Sequence, residues 1–171
     1  MHLRQAIHGA ERGEPAALFL SPPRPACQKL LDVDSGEKGS QFTLFLTSPV
    51  LAFCQMGGVS LLDSDEDILG DAEGILGTFF AEWEVILCKS KDLNFVWAQA
   101  FSDPFIRRLI LRFIFCRSAV FFFCHGEGDE YDLPICLPDI PGSVSPNTQI
   151  MRSAIIRVAN HFQVTQSYKD R

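Results

Sequence analysis

The sequence has no Cys-x-x-Cys pair, no Gly-x4-Gly-Lys-Ser/Thr loop, no Gly-x-Ser-x-Gly elbow and no His-Glu-x-x-His helix. Those absences remove the usual paired zinc ligands, the phosphate-cradling loop, the strained nucleophilic serine and the helix-borne zinc protease site. No Asn-x-Ser/Thr acceptor occurs, and the first apolar run, Ala16 to Leu20, is only five residues. A secretory core needs about 7–15. The six cysteines, Cys27, Cys54, Cys88, Cys116, Cys124 and Cys136, therefore read as reduced and mostly buried thiols of a protein that is not secreted. Tyrosine and tryptophan are scarce, at two each, against 15 phenylalanines, which favours apolar packing over polar-tipped recognition. Positive charge is also in deficit: 15 Lys and Arg against 21 Asp and Glu give a net charge of −6. A uniformly basic nucleic-acid surface is excluded and no direct DNA binding is expected, although a local basic patch is not excluded.

What is present is a chain of 171 residues, 47% of them hydrophobic, enough for one domain with a sizeable core. Its composition divides it into a loosely structured N-terminal region over 1–41, a mainly helical domain over 42–164 and a polar tail over 165–171. In the first region His2 to Arg12 fits a short polar helix, SPPRP (21–25) enforces an extended connection and DVDSGEKGS (32–40) is turn chemistry. Residues 42–62 hold two short apolar runs, FTLFL and VLAFC, around TSP. Their length and their Phe, Thr and Val favour a β-hairpin; a buried helix broken at Pro49 is the alternative.

The clearest helix lies within 63–91. Ser64 and Asp67 stand at capping-box spacing, acids crowd the N-terminal end and Lys89 and Lys91 the other. Ile68, Ala72, Ile75, Leu76, Phe79, Phe80, Trp83, Ile86 and Leu87 form one apolar stripe. Gly70, Gly74 and Gly77 weaken it by about 1 kcal/mol each against Ala. Close approach of another helix would explain them, and so would a helix that starts only near Gly74.

The stretch NFVWAQAFSDPFIRRLILRFIFC (94–116) reads as two helices. Asn94 caps the first, over Phe95 to Phe101. Asp103 before Pro104 starts the second, because the first helical position needs no N–H. A membrane span is rejected: Phe105 to Cys124 contains Arg107, Arg108, Arg112 and Arg117, and each central arginine costs roughly 2.5–3.5 kcal/mol on insertion. The arginines scatter around the helix, so no surface-lying amphipathic face forms. SAVFFFC (118–124) has a buried strand as an alternative. The four prolines and three glycines of 125–147 dictate loop, and Asn147 caps a last helix with a Met151, Ala154, Ile155, Val158 and Phe162 stripe. The fold class is thus mainly α: a small helical domain with a short β-hairpin and long Pro/Gly-rich loops.

Candidate chemistry is sparse. Asp63, Asp65 and Asp67 mimic the first positions of a calcium loop, but Ile68 stands where the sharp turn needs Gly and Gly74 where a bidentate Glu is needed. An acidic helix start explains them better. Cys116, Cys124, His125 and Cys136 lack zinc-ligand spacing, which leaves buried thiols. HGEGDE (125–130) has two glycines of a dinucleotide loop but acids where phosphate needs positive potential. Arg107, Arg108 and Arg112, beside Phe105 and Phe113, fit contact with an acidic partner or an RNA backbone, with charge balance inside an acidic protein as the plainer explanation. No catalytic residue, metal ligand or cofactor site is assigned, and the chain is expected not to be an enzyme.

Residues 75–112 place Phe79, Phe80 and Leu87 on a helix, then Lys89, Ser90 and Lys91 in a basic turn, then Asn94, Phe95, Ala98, Gln99, Ala100 and Phe101, and finally Phe105, Ile106, Arg107 and Leu109. This order resembles the C-terminal helical domain of the Utp-twenty-one-type WD-repeat protein of the small-subunit processome. The resemblance implies a non-enzymatic protein-interaction module in ribosomal small-subunit assembly and pre-rRNA processing, with protein partners in a pre-ribosomal ribonucleoprotein. It implies a nuclear or nucleolar location; without it the expectation is cytoplasmic. With the arginine cluster it designates Phe95, Gln99, Phe101, Arg107, Arg108 and Arg112 as partner-binding. The competing expectations are a small metal-dependent protein or enzyme built on Cys124 and His125, and a chain with no selected function.

Overall fold

In the computed structural model of the protein, the described residues are 16–21, 40–60, 66–124 and 133–164. They form β1 (Leu18–Leu20), α1 (Gln41–Thr47), α2 (Pro49–Met56), α3 (Glu66–Lys89), α4 (Phe95–Ala100), α5 (Pro104–Cys124), β2 (Ile135–Leu137), a single 3-10 turn (Gly142–Val144) and α6 (Gln149–His161). The mainly helical class is as the sequence implies, with one small two-stranded antiparallel sheet.

The break at 101–104 holds. Asp103 Oδ1 accepts from the backbone N–H groups of Phe105 (2.8 Å) and Ile106 (3.0 Å), and Pro104 opens α5. Asn94 does the same for α4, its side chain accepting from Val96 N–H at 2.9 Å. From Pro104 the chain is helical to Cys124, so 118–124 is not a strand. Ile110, Leu111, Phe113, Ile114, Phe115, Cys116, Ser118, Ala119 and Val120 are all buried. Burial at consecutive positions covers the whole circumference, which makes α5 the central helix rather than an amphipathic one. The polar member, Ser118, donates to the Ile114 carbonyl at 3.0 Å. No described helix is long and apolar enough to cross a membrane.

Residues 42–62 correct the hairpin expectation: they hold α1 and α2. Pro49 occupies the first turn of α2, after Ser48. Tertiary burial overrides the β-favouring side chains. Phe45 and Phe53 are fully buried and bring their rings to 6.0 and 5.8 Å of Phe115 on α5. Gln41 Nε2 donates to the Ala52 carbonyl at 2.9 Å and ties the two helices together.

Helix α3 keeps its expected stripe. Ala72, Leu76, Phe79, Trp83 and Leu87 are buried and Ile75, Phe80 and Ile86 half-buried, while Ile68 is 44% exposed. The helix starts at Glu66, well before Gly74, and a methyl at Gly70, Gly74 or Gly77 would meet nothing within 4 Å. Among the described residues, then, neither a late start nor a close-packed helix accounts for those glycines. Asp67 to Gly74 being helical also replaces the calcium-loop geometry. Ser64, Asp63 and Asp65 lie outside the described residues, as do His2 to Arg12, residues 22–39, Cys27, His125, the HGEGDE segment and the tail.

The sheet joins segments far apart in sequence. Leu18 pairs with Leu137, Phe19 with Cys136 and Leu20 with Ile135. Residues 135–137 are thus strand where prolines and glycines predict only loop. Helix α6 begins one residue later than expected. Thr148, not Asn147, is the cap, its hydroxyl accepting from Met151 N–H at 3.4 Å. Met151, Ala154, Ile155, Val158 and Ala159 face the core, with Phe162 half-buried beyond the end. His161 Nε2 lies 2.9 Å from the Ile68 carbonyl oxygen and joins the end of α6 to the start of α3.

Candidate protein-docking surface

The first turns of α4 and α5 hold two phenylalanines away from the core. Phe95 is 67% exposed and Phe105 65%, the largest values among the exposed large apolar residues. Their positions follow from the caps: Asn94 and Asp103 fix where each helix starts, which makes Phe95 the first residue of α4 and Phe105 the second of α5, ahead of the first buried residues, Trp97 and Ile110. Gln99 is exposed one turn after Phe95, and Arg108 one turn after Phe105. Spacings of four and three put each pair on one helix face.

The opposite sides of these helices are fastened down. Trp97 is 1% exposed, and its Nε1–H donates to the Pro138 carbonyl at 2.7 Å. On α5, Arg107 Nη1 lies 2.9 Å from Glu84 Oε1 on α3, a half-exposed ion pair. Arg112 Nη1 donates to the carbonyls of Leu46 (2.8 Å) and Thr47 (3.0 Å), the last ones of α1. Burial, then the neighbouring Arg108, hold the Arg112 guanidinium below its ordinary pKa, with Glu73 opposing.

The six residues designated from sequence therefore divide. Phe95, Gln99 and Arg108 reach solvent. Phe101 is 7% exposed and lies in the core cluster, while Arg107 and Arg112 are engaged with Glu84 and with the end of α1. Phe105 belongs with the exposed group although sequence reasoning left it out. The signal was its place at the second residue of a capped helix, a full turn before the buried run opens at Ile110. Phe113, read beside the arginines, is fully buried.

The thiols are dispersed. Cys54, Cys116 and Cys136 are buried and free, Cys88 is exposed and free, and Cys124 is half-buried. Burial lifts Cys54 to about 11 and Cys116 to about 12, the latter against a smaller opposing pull from Arg117. It lifts Cys136 to about 11, where the backbone N–H of Ile140 and the charge of Arg117 pull down and Asp139 adds to the rise. Thiols so protonated are poor nucleophiles and poor metal ligands. No group of three or more His, Cys, Asp or Glu able to hold a metal ion occurs among the described residues. His125, the other half of the Cys124–His125 alternative, lies outside the described residues.

Comparison with known proteins gives a different relationship from the one the 75–112 pattern implies. Residues 2–126 match the family described as Protein SCAI. Protein SCAI of Mus musculus is 28% identical over 152 residues, which covers 89% of this chain and 24% of that protein. Protein SCAI of Homo sapiens is 28% identical over the same length, with the same coverage. The chain thus spans about a quarter of the length of these curated relatives. No solved structure matches it. The family match contains the whole of 75–112, so the likeness to the WD-repeat protein of the processome is overturned. With it goes the role in ribosomal small-subunit assembly and pre-rRNA processing, and the pre-ribosomal partner and the nucleolar location lose the resemblance that implied them. The physical reason is that an apolar helix, a basic turn and a short capped helix are what packing requires of consecutive helices in general. That order of residues is not specific to one family.

Proposed function

Because this chain belongs to the Protein SCAI family, we propose that it acts through protein contact, without a catalytic site or cofactor of its own, and that Phe95, Gln99, Phe105 and Arg108 form the contacting surface. The observation that carries this reading is the pair of phenylalanines, each about two-thirds exposed, on helices whose other faces are fastened by Trp97 and Arg107. Exposed aromatics presented on rigid helices make effective anchors, because little side-chain freedom is lost when a partner covers them. Arg108 adds an exposed guanidinium at the same turn, suited to a carboxylate of the partner. The net charge of −6 argues against DNA as that partner.

The test is site-specific photo-crosslinking in cells, with the crosslinker at position 95, at 105 and, as a control, at the exposed Ile156 of α6. Protein adducts concentrated at 95 and 105 and lost with Arg108→Glu are the expected result. Equal labelling at 156, or adducts to nucleic acid, would sink the reading.

A further inference from the structure

Phe19 of β1 lies between two aromatic rings. Its ring stacks on Trp97 at 5.3 Å between centroids and 15° between planes, and on Phe113 at 4.7 Å and 27°. Trp97 is held by the Pro138 carbonyl, and Phe113 is fully buried on the central helix with Phe42 edge-on at 6.3 Å. The floor is β2, whose Cys136 is buried and faces Phe19 in register. The strand that fills this slot is three residues long and is separated in sequence from α1 by residues 21–40. Leu18 and Leu20, half-buried, point to the other face of the strand from Phe19.

We propose that the slot between Trp97, Phe113 and β2 is a peptide-binding site that β1 occupies in cis, and that its partner is an extended protein segment carrying an aromatic ring between two aliphatic residues. The seated Leu-Phe-Leu shows the chemistry that is recognised. Backbone pairing to β2 supplies sequence-independent affinity, and the ring slot supplies selectivity, which is how strand addition to a sheet edge generally works. A segment in trans must displace β1, so the native chain binds more weakly than one whose own strand is removed from the slot. This site is separate from the Phe95–Phe105 surface, and its failure would leave that reading untouched.

Two measurements decide it. Hydrogen exchange on the unmodified chain compares residues 16–21 with 110–120. Exchange at least ten-fold faster in the former is expected, because β1 opens on its own. Equal protection, with both exchanging only on global unfolding, would overturn the proposal and make β1 part of the core. Second, a labelled peptide of residues 16–21 is titrated by anisotropy against Phe19→Ala and against the unmodified chain. Saturable binding at least ten-fold tighter to the variant, abolished when the peptide's own phenylalanine is replaced by alanine, is expected. A Phe19→Ala chain that does not fold, or that folds and leaves the peptide unbound, would overturn the proposal.

Discussion

Arg112 on the central helix reaches Leu46 at the end of α1, its Nη1 lying 2.8 Å from the Leu46 carbonyl oxygen. The same nitrogen serves the Thr47 carbonyl at 3.0 Å. The last carbonyls of a helix have no partner within it and carry its negative end, so a guanidinium placed there satisfies geometry and charge together. Arg112→Ala is expected to destabilise the fold by about 1.5–3 kcal/mol, the range for hydrogen bonds to charged groups. Arg112→Lys should recover part of the loss. Arg108→Ala, at an exposed position on the same helix, should stay within about 0.5 kcal/mol. Urea midpoints at constant slope distinguish these outcomes, and equal effects at 108 and 112 would contradict the assignment.

The glycines of α3 and the glycine after α2 should respond in opposite directions to the same change. Gly70, Gly74 and Gly77 have room for a methyl, lie in a helix and have no positive φ. Replacing each by Ala is expected to stabilise by about 0.5–1 kcal/mol, mostly by restricting the unfolded chain. At Gly57 a new Cβ would lie 3.1 Å from a Val164 methyl and 3.3 Å from the Phe123 ring, so Gly57→Ala should lower the melting temperature. Thermal unfolding of the four variants checks both signs.

What could be foreseen from sequence follows the range of the interactions. Asp103–Pro104 and Asn94 announce their helix starts because a cap is a contact between residues two or three apart. Ser48–Pro49 carried the same signal for α2, without a side-chain cap bond to reinforce it, and the β-favouring Phe and Val residues obscured it. The pairing of Leu18–Leu20 with Ile135–Leu137 has no local signature, since three residues are too few to show a period. The candidate site divides the same way. That Phe95 sits at a helix start is local and readable, but that Arg112 is spent on Leu46 and Arg108 is not depends on which helix packs where.

The two tryptophans offer a matched comparison. Trp97 Nε1–H donates to the Pro138 carbonyl at 2.7 Å, whereas the buried Trp83 Nε1 has no hydrogen-bond partner among the described residues. Both side chains are essentially inaccessible to solvent. Replacing either by Phe removes similar volume, but only Trp97→Phe also strips a carbonyl of its donor, a loss of about 1–3 kcal/mol where the site is dry. Trp83→Phe removes an unsatisfied donor and offsets part of its cavity cost. Trp97→Phe is therefore expected to be the more destabilising by about 1 kcal/mol or more, as read from chemical denaturation; the reverse order would deny the Pro138 bond its role.

The thiols set an alkaline limit. Burial holds Cys54 and Cys136 protonated up to about pH 11 and Cys116 to about 12, against roughly 8.5 for a thiol in an unfolded chain. A group whose pKa is raised by folding supports the fold fully below the unfolded value and loses that support as pH climbs through the folded one. Stability should therefore be insensitive to these thiols up to about pH 8, then fall between about pH 9 and 12 as the unfolded chain releases protons that the folded chain retains. Cys116→Ala is expected to be less stable near neutrality, because it leaves a cavity beside the central helix, yet to show a shallower decline above pH 9. Cys88→Ser, at an exposed position, should leave the curve unchanged. At pH 8, iodoacetamide should label Cys88 before Cys54, Cys116 and Cys136. Early labelling of Cys116, located by peptide mass spectrometry, would show that the central helix is not packed as described and would remove the basis for the alkaline decline.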